Sequence, residues 1–249
     1  MKPTPSRPAG TRLYCDLPLS PGAEFVLPEA AARHAIAVLR LGVGDALSLF
    51  NGSGGEYRAI LTAANKREAR ARVTGFDAIE RESPLQIVLA LGIASGDRMD
   101  YSLQKATELG VHAIQPLATE RSVVRLAGDR AERRQQHWQQ VVASACEQCG
   151  RNRIPAVAPV QPYYTFLAQV DRSKRLLLLS PDASLPLRQV APANAAVLLI
   201  GAEGGLAPAE IEAALAGGFE AVSLGPRVLR TETAPLAALA VLQALWGDI

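Results

Sequence analysis

The chain has 249 residues, of which 49% are hydrophobic and 20% charged, with a formal net charge of +2. This is an ordinary globular composition, and it excludes a disordered, collagen-like or disulfide-stapled chain. No uncharged apolar run reaches the length of a membrane span, the first ten residues lack an apolar core with a cleavage site, and three cysteines make an odd count, so a soluble, cytoplasmic protein with reduced thiols and no membrane partner is expected. The charge is uneven along the chain: residues 1–78 hold ten Lys and Arg against seven Asp and Glu, and residues 79–249 hold sixteen against seventeen. A positive excess in the first third is compatible with a module that neutralises nucleic-acid phosphates, without requiring one.

Taken in order, the first elements are short strand signals: RLYCDL, AEFVLP, DALSLFNG, GEYRAILTA and EARARVTGF, separated by SPG, GVGD, NGSGG and NK. Short strands at this spacing with tight turns predict a small barrel. One helical stretch, PEAAARHAIAVLRL, interrupts them and places Ala32, Ile36 and Leu39 on one face. The charged stretch DAIERESP marks a boundary, giving an expected first domain over residues 1–78 and a second over 84–249.

Beyond the boundary, strands and helices alternate. The strand IVLALGI leads to a helix around RMDYSLQKATELG, with Gly110 at its end and Lys105 and Glu108 spaced to pair. AIQPLAT and a long helix from Asp129 to Cys149 follow, the latter with Trp138, Val141, Val142, Ala145 and Cys149 at helical spacing. RLLLLS, AAVLLIG and AVSLG are continuous apolar runs, which parallel strands covered on both faces require. PAEIEAALAGG is a helix between the last two, and TAPLAALAVLQALWGD is a nearly wholly apolar terminal helix, to be buried in the core or against a partner subunit. The second domain is therefore predicted to be α/β with a mainly parallel sheet.

Open α/β sheets bind ligands beyond the carboxyl ends of their strands. Three such ends carry glycine or small polar residues: Ser180 to Asp182, Gly201 to Gly205 and Gly225 to Thr233. No G-x-G-x-x-G opens a helix, no G-x-x-x-x-G-K-[ST] is present, and no G-x-S-x-G elbow supports a hydrolase. The pair Cys146 and Cys149 lies at the C-terminal end of its helix, where the dipole disfavours a thiolate, and the three histidines lack metal-ligand spacing, so no metal is expected.

The stretch LLIGAEGGLAPAEIEAALAGGFEAVSLGPRVLRTETAPLAAL resembles the C-terminal signature of the SPOUT methyltransferases. More narrowly, it is similar to the RsmE-type family of 16S ribosomal RNA uridine-N3 methyltransferases. RLYCD, HAIAVLRLGVGDALSLFNGSGGEYRAIL, QKATELGVHAIQPLATERSVV and EQCGRNRIP fall in the order of that family. The resemblance implies a PUA-like RNA-binding β-barrel, a trefoil-knotted α/β domain, S-adenosylmethionine as methyl donor and a homodimer. Its substrate would be 16S rRNA within the 30S subunit, at the uridine numbered 1498 in standard rRNA numbering. Another SPOUT enzyme acting on tRNA or a ribose 2′-hydroxyl, and a non-catalytic RNA-binding assembly factor, are the alternatives.

The resemblance also implies site residues. Leu179, Ser180 and Ile200 would meet the cofactor, as would Gly201, Glu203, Gly204 and Gly205. Leu224, Gly225, Val228, Leu229 and Thr231 would complete its pocket. Arg230 would supply the catalytic cation or orient a base, with Glu232 as proton acceptor; the alternative is an Arg230–Glu232 ion pair that only stiffens the loop. Arg12, Arg33 and Arg40 in the first domain, with Arg121, Arg125, Arg151 and Arg153 beyond it, are candidate phosphate contacts. Ala202, Ala207 and Pro235 depart from the family pattern, and Ala207 is a poor helix cap, so the helix it precedes is expected to fray.

Overall fold

The computed structural model describes residues 10–65 and 68–249. The chain divides into two compact units, residues 1–82 with 146–154, and residues 83–145 with 155–249.

The first unit is built on a five-stranded sheet. Its strands are β1 (Arg12–Tyr14), β2 (Glu24–Val26), β3 (Ala46–Phe50), β4 (Glu56–Ala64) and β5 (Ala69–Asp77), in the order β1-β3-β4-β5-β2. All pairs are antiparallel except β1 with β3. In β5, Ala69, Ala71 and Val73 are buried while Arg70, Arg72 and Thr74 are exposed, the period-two alternation of a sheet with one solvated face. Leu13, Leu27, Leu47, Leu49 and Leu61 form its core with Ala31 and Ala35. Those alanines belong to the helical stretch, which is α1 (Glu29–Arg33) continued by a π-helical turn, His34–Val38, rather than one regular helix. The wider turn leaves Val38 exposed and Leu39 partly so, and only Ala32 and Ile36 of the expected face pack on the core.

The second unit carries β6 (Gln86–Gly92), β7 (Ala113–Ala118), β8 (Ala156–Val157), β9 (Gln161–Pro162), β10 (Arg175–Leu179), β11 (Ala195–Ile200) and β12 (Glu220–Val222). These form a sheet in the order β12-β10-β11-β6-β7-β8, with β9 also on β7, and every pairing is parallel. The helices are α2 (Asp97–Glu108), α3 (Gly128–Cys149, of which residues 146–149 are counted with the first unit), α4 (Tyr163–Gln169), α5 (Pro208–Ala216) and α6 (Thr233–Trp246). On one face, Tyr163, Phe166 and Leu167 of α4 and Ala214 of α5 pack on Leu176, Leu178, Val197 and Leu199. Because strand side chains alternate, Leu177 and Leu198 point to the other face, and both are fully buried.

α6 packs against α2. Gln243 is buried there and is satisfied completely: its Nε2 donates to the carbonyls of Leu109 and Gly110 at 3.1 and 3.3 Å, and its Oε1 accepts from Ser83 Oγ at 2.7 Å. Gly110 has φ +79°, the left-handed conformation its place after α2 requires, and Lys105 pairs with Glu108 at 2.7 Å. Among the described residues, no helix is long and apolar enough to cross a membrane.

The start of α5 has a partner that Ala207 itself cannot supply. Ala207 has no side-chain acceptor, but Glu210 in the first turn reaches back to the Ala207 N–H at 2.8 Å and so supplies the half of a capping box that matters here.

Candidate functional site

The carboxyl ends of β10, β11 and β12 open onto one cavity of about 510 Å³, lying wholly within the second unit. Its volume is in the range of small-molecule sites. Leu178, Leu179, Ile200, Leu206 and Leu229 give it an apolar wall; Ser180, Asp182, Glu203, Arg121, Arg227 and Thr231 give it a few polar groups. Every residue expected at the cofactor lines it: Leu179, Ser180, Ile200, Gly201, Glu203, Gly204, Gly205, Leu224, Gly225, Val228, Leu229 and Thr231.

Local sequence explains the shape. After β11 the chain doubles back at once, with Gly205 N–H donating to the Ala202 carbonyl at 2.9 Å. A Cβ on Gly201 would stand 2.5 Å from the Gly205 carbonyl carbon and 2.7 Å from Leu206 N, so only glycine allows that closure. Gly225 has φ +111°, and a Cβ there would meet nothing within 4 Å, so the backbone is bare toward open space. The turn after β10 is held by Ser180 N–H donating to the Val222 carbonyl at 2.9 Å, and Thr231 Oγ1 reaches the Gly201 carbonyl at 3.4 Å.

Glu203 is the most constrained polar group of the wall. Its Oε1 accepts from Ser95 N–H and Oγ at 2.8 and 2.7 Å, and Arg98 approaches at 3.5 Å. Burial pushes its carboxyl pKa up, but the Ser95 bonds, its own backbone N–H and Arg98 together outweigh that and hold it below the ordinary range. Its Oε2 is buried and has no hydrogen-bond partner among the described residues.

Arg230 and Glu232 do not line this cavity. The Arg230 side chain is exposed, and its carbonyl accepts from Thr233 and Ala234 N–H at 2.9 Å, closing the first turn of α6. Glu232 stands as the residue before α6 and lies 3.9 Å from Arg98, not against Arg230. The stiffening Arg230–Glu232 pair is therefore replaced by Arg98, which faces both Glu203 and Glu232. Ser95 and Arg98 were not singled out from the sequence, although they follow β6, another strand whose carboxyl end meets this region.

The candidate phosphate contacts separate into three groups. Arg12 and Arg151, expected at rRNA phosphates, are not available to them. Both are buried, Arg12 pairing with Glu56 and bonding Asn152 Oδ1 and the Arg151 carbonyl, Arg151 pairing with Glu82. Burial lowers the Arg12 pKa, and its guanidinium also lies over the Phe50 ring at 4.7 Å. Side chains committed in this way hold their own unit together and are not presented to a polyanion. Arg33, Arg40, Arg125 and Arg153 are exposed; Arg125 donates to the Glu120 carbonyl at 3.0 Å and Arg153 lies 3.5 Å from Glu80. Arg121 is exposed too, but it stands on the cavity wall, with Nη1 donating to the Gly204 carbonyl at 3.1 Å.

Comparison with known proteins agrees with this layout. The RNA methyltransferase domain family matches residues 81–243, and the RNA methyltransferase PUA domain family matches residues 27–74. The chain is 31% identical over 239 residues to the ribosomal RNA small subunit methyltransferase E of Buchnera aphidicola from Schizaphis graminum, covering 96% of this chain and 97% of that one. It is 43% identical to the Neisseria gonorrhoeae ribosomal RNA small subunit methyltransferase E, whose crystal structure holds S-adenosylmethionine (TM-score 0.89; 96% and 99% of the two chains). A putative methyltransferase of Legionella pneumophila, also solved with bound S-adenosylmethionine, superposes with a TM-score of 0.93 at 38% identity over 96% and 99% of the two chains. With its PUA-like N-terminal unit and its SPOUT-type knotted α/β unit, the chain belongs to the ribosomal RNA small subunit methyltransferase E family.

Proposed function

We propose that this protein transfers a methyl group from S-adenosylmethionine to N3 of a uridine in 16S rRNA, the uridine at 1498 in standard numbering, on the 30S subunit in the cytoplasm, as a homodimer. The observation that carries the reading is the cavity at the ends of β10, β11 and β12, whose wall is apolar apart from a few polar groups and bare glycine backbone. Its chemistry suits the cofactor: apolar side chains for a purine, free backbone groups for its ring nitrogens, and an unmet carboxylate oxygen on Glu203 for a donor. Leu179, Ile200, Leu224 and Leu229 would hold it, with the 201–205 backbone.

When bound, S-adenosylmethionine supplies an electrophilic methyl group on its sulfonium. The chain's own residues must exclude water, align the nucleophile and manage one proton. Uracil N3–H is a weak acid, so its removal needs an acceptor and a cation that stabilises the anion spreading onto the carbonyl oxygens. In this reading Arg230 supplies that cation and Glu232 accepts the proton, with Arg98 fixing the Glu232 carboxylate. Of the candidate phosphate contacts, Arg33, Arg40, Arg125 and Arg153 are exposed and lie off the cavity wall, available to rRNA phosphates.

The test is transfer of a tritiated methyl group to 30S subunits beside naked 16S rRNA and tRNA. Label in the small-subunit RNA supports the reading; label in tRNA alone, or none with any substrate, overturns it.

A further inference from the structure

The turn after β7 is unusually well fixed for a loop. Ser122 N–H donates to the Thr119 carbonyl at 3.2 Å, their hydroxyls lie 2.8 Å apart, and Glu120 N–H donates to the buried Glu210 carboxylate at 2.8 Å. Arg121 stands on that turn and lines the cavity. Its stem lies against Gly204, where a Cβ would come within 3.0 Å of the Arg121 Cβ, so the glycine leaves room for the arginine. One guanidinium nitrogen is held by the Gly204 carbonyl, and among the described residues no carboxylate lies within ion-pair distance of the other N–H groups. The guanidinium of this exposed arginine is thus fixed at one nitrogen and lines the cavity with no protein anion against it among the described residues.

Next to Gly204, Glu203 presents the complementary deficit, a buried carboxylate oxygen with no donor. An adenosyl group has N–H and O–H donors that could meet Glu203, but it has no anion for Arg121. An amino-acid arm, with one carboxylate and one ammonium, answers both.

We infer that Arg121 binds the carboxylate of the amino-acid arm of S-adenosylmethionine, through charge-assisted hydrogen bonds from the nitrogens that Gly204 does not use. This assignment rests on the proposed function and deepens it, moving Arg121 from the rRNA phosphates to the cofactor. The mechanism is recognition only; no bond is made or broken at this residue.

The experiment is calorimetric binding of three ligands to the full chain: S-adenosylmethionine, its decarboxylated analogue and 5′-methylthioadenosine, which lacks the amino-acid arm. Arg121→Met should weaken S-adenosylmethionine about tenfold, as loss of a partly exposed charge-assisted contact does, and leave the two carboxylate-free ligands within about twofold. Arg121→Lys, which keeps the charge and loses the fork, should fall between. Arg227→Met, the other cation of the cavity, should leave the ratio between the ligands unchanged. Equal losses for all three ligands with Arg121→Met would make Arg121 a piece of wall and overturn the assignment, as would unaltered affinity for S-adenosylmethionine. Failure of the unmodified chain to bind either S-adenosylmethionine or 5′-methylthioadenosine would instead sink the cofactor reading itself, and this assignment with it.

Discussion

Glu210 joins two walls of the cavity through one buried carboxylate. Its Oε1 accepts from Glu120 N–H on the turn that carries Arg121, and its Oε2 accepts from Ala207 N–H at the end of the 201–206 segment, both at 2.8 Å. Its side chain is buried, with 1% of the residue exposed. Glu210→Ala leaves both N–H groups without their acceptor. Hydrogen bonds to a charged group contribute about 1.5–3 kcal/mol each. Two of them give about 3–6 kcal/mol, and relief of the buried carboxylate's desolvation brings the expected loss toward about 3 kcal/mol. Glu210→Gln keeps one acceptor oxygen and should lose roughly half as much. Urea unfolding followed by circular dichroism measures this as a lower midpoint at constant slope. Affinity for S-adenosylmethionine should fall in parallel, because both walls lose their common anchor. A Glu210→Ala variant within about 0.5 kcal/mol of the unmodified chain would refute the reasoning, since that is the scatter of substitutions that touch nothing important.

Three further outcomes follow from the same geometry. Gly201→Ala forces a methyl group onto backbone atoms 2.5 and 2.7 Å away, so cofactor binding in calorimetry should be lost while circular dichroism still reports a folded sheet. Glu203 has a carboxyl pKa below its ordinary value, so between the folded and unfolded values the unfolded chain binds more protons; its contribution to stability is complete above the ordinary glutamate range and is lost as pH falls through the folded value. Glu203→Gln should flatten that acid limb in a series of melts across pH, and an unchanged limb would contradict the assignment. Arg230→Ala, at an exposed residue outside the cavity, should reduce methyl transfer by about a hundredfold or more with cofactor affinity unchanged; full activity would remove Arg230 from the mechanism.

Much of the second unit is legible in its sequence because its strands are continuous apolar runs and its ligand loops are glycine-rich, two signals with direct physical causes. β10 and β11 carry the runs, and the loops at Ser180, Gly201 and Leu224 converge because parallel strands put their carboxyl ends side by side. What escapes is short or long-range. α4 has only seven residues and no side-chain cap, although Tyr163, Phe166 and Leu167 carry the helical spacing. The strands β8 and β9 have two residues each, too few for any alternation to register. The π-helical turn at His34–Val38 has the same apolar content as an α-helix and differs only in its backbone register.

The charged residues show the same limit. An arginine in isolation reads as a phosphate contact, but Arg12 and Arg151 meet Glu56 and Glu82, which stand 44 and 69 positions away. Arg98 was missed for the converse reason, since its partners Glu203 and Glu232 lie more than a hundred residues along. Pairings at such separations are set by topology, which local pattern does not encode. The helix start at Ala207 is a milder case, because its stabilising group sits at Glu210, inside the helix rather than at the cap.

The site of methylation is tested most directly by mass spectrometry of nucleosides. Small subunits isolated from cells lacking this protein are incubated with the purified chain and S-adenosylmethionine, and the 16S rRNA is digested. N3-methyluridine should appear, absent without the protein and absent again with Arg230→Ala. A ribose-methylated nucleoside, a methylated base other than uracil, or no new nucleoside from a chain that binds the cofactor would contradict it.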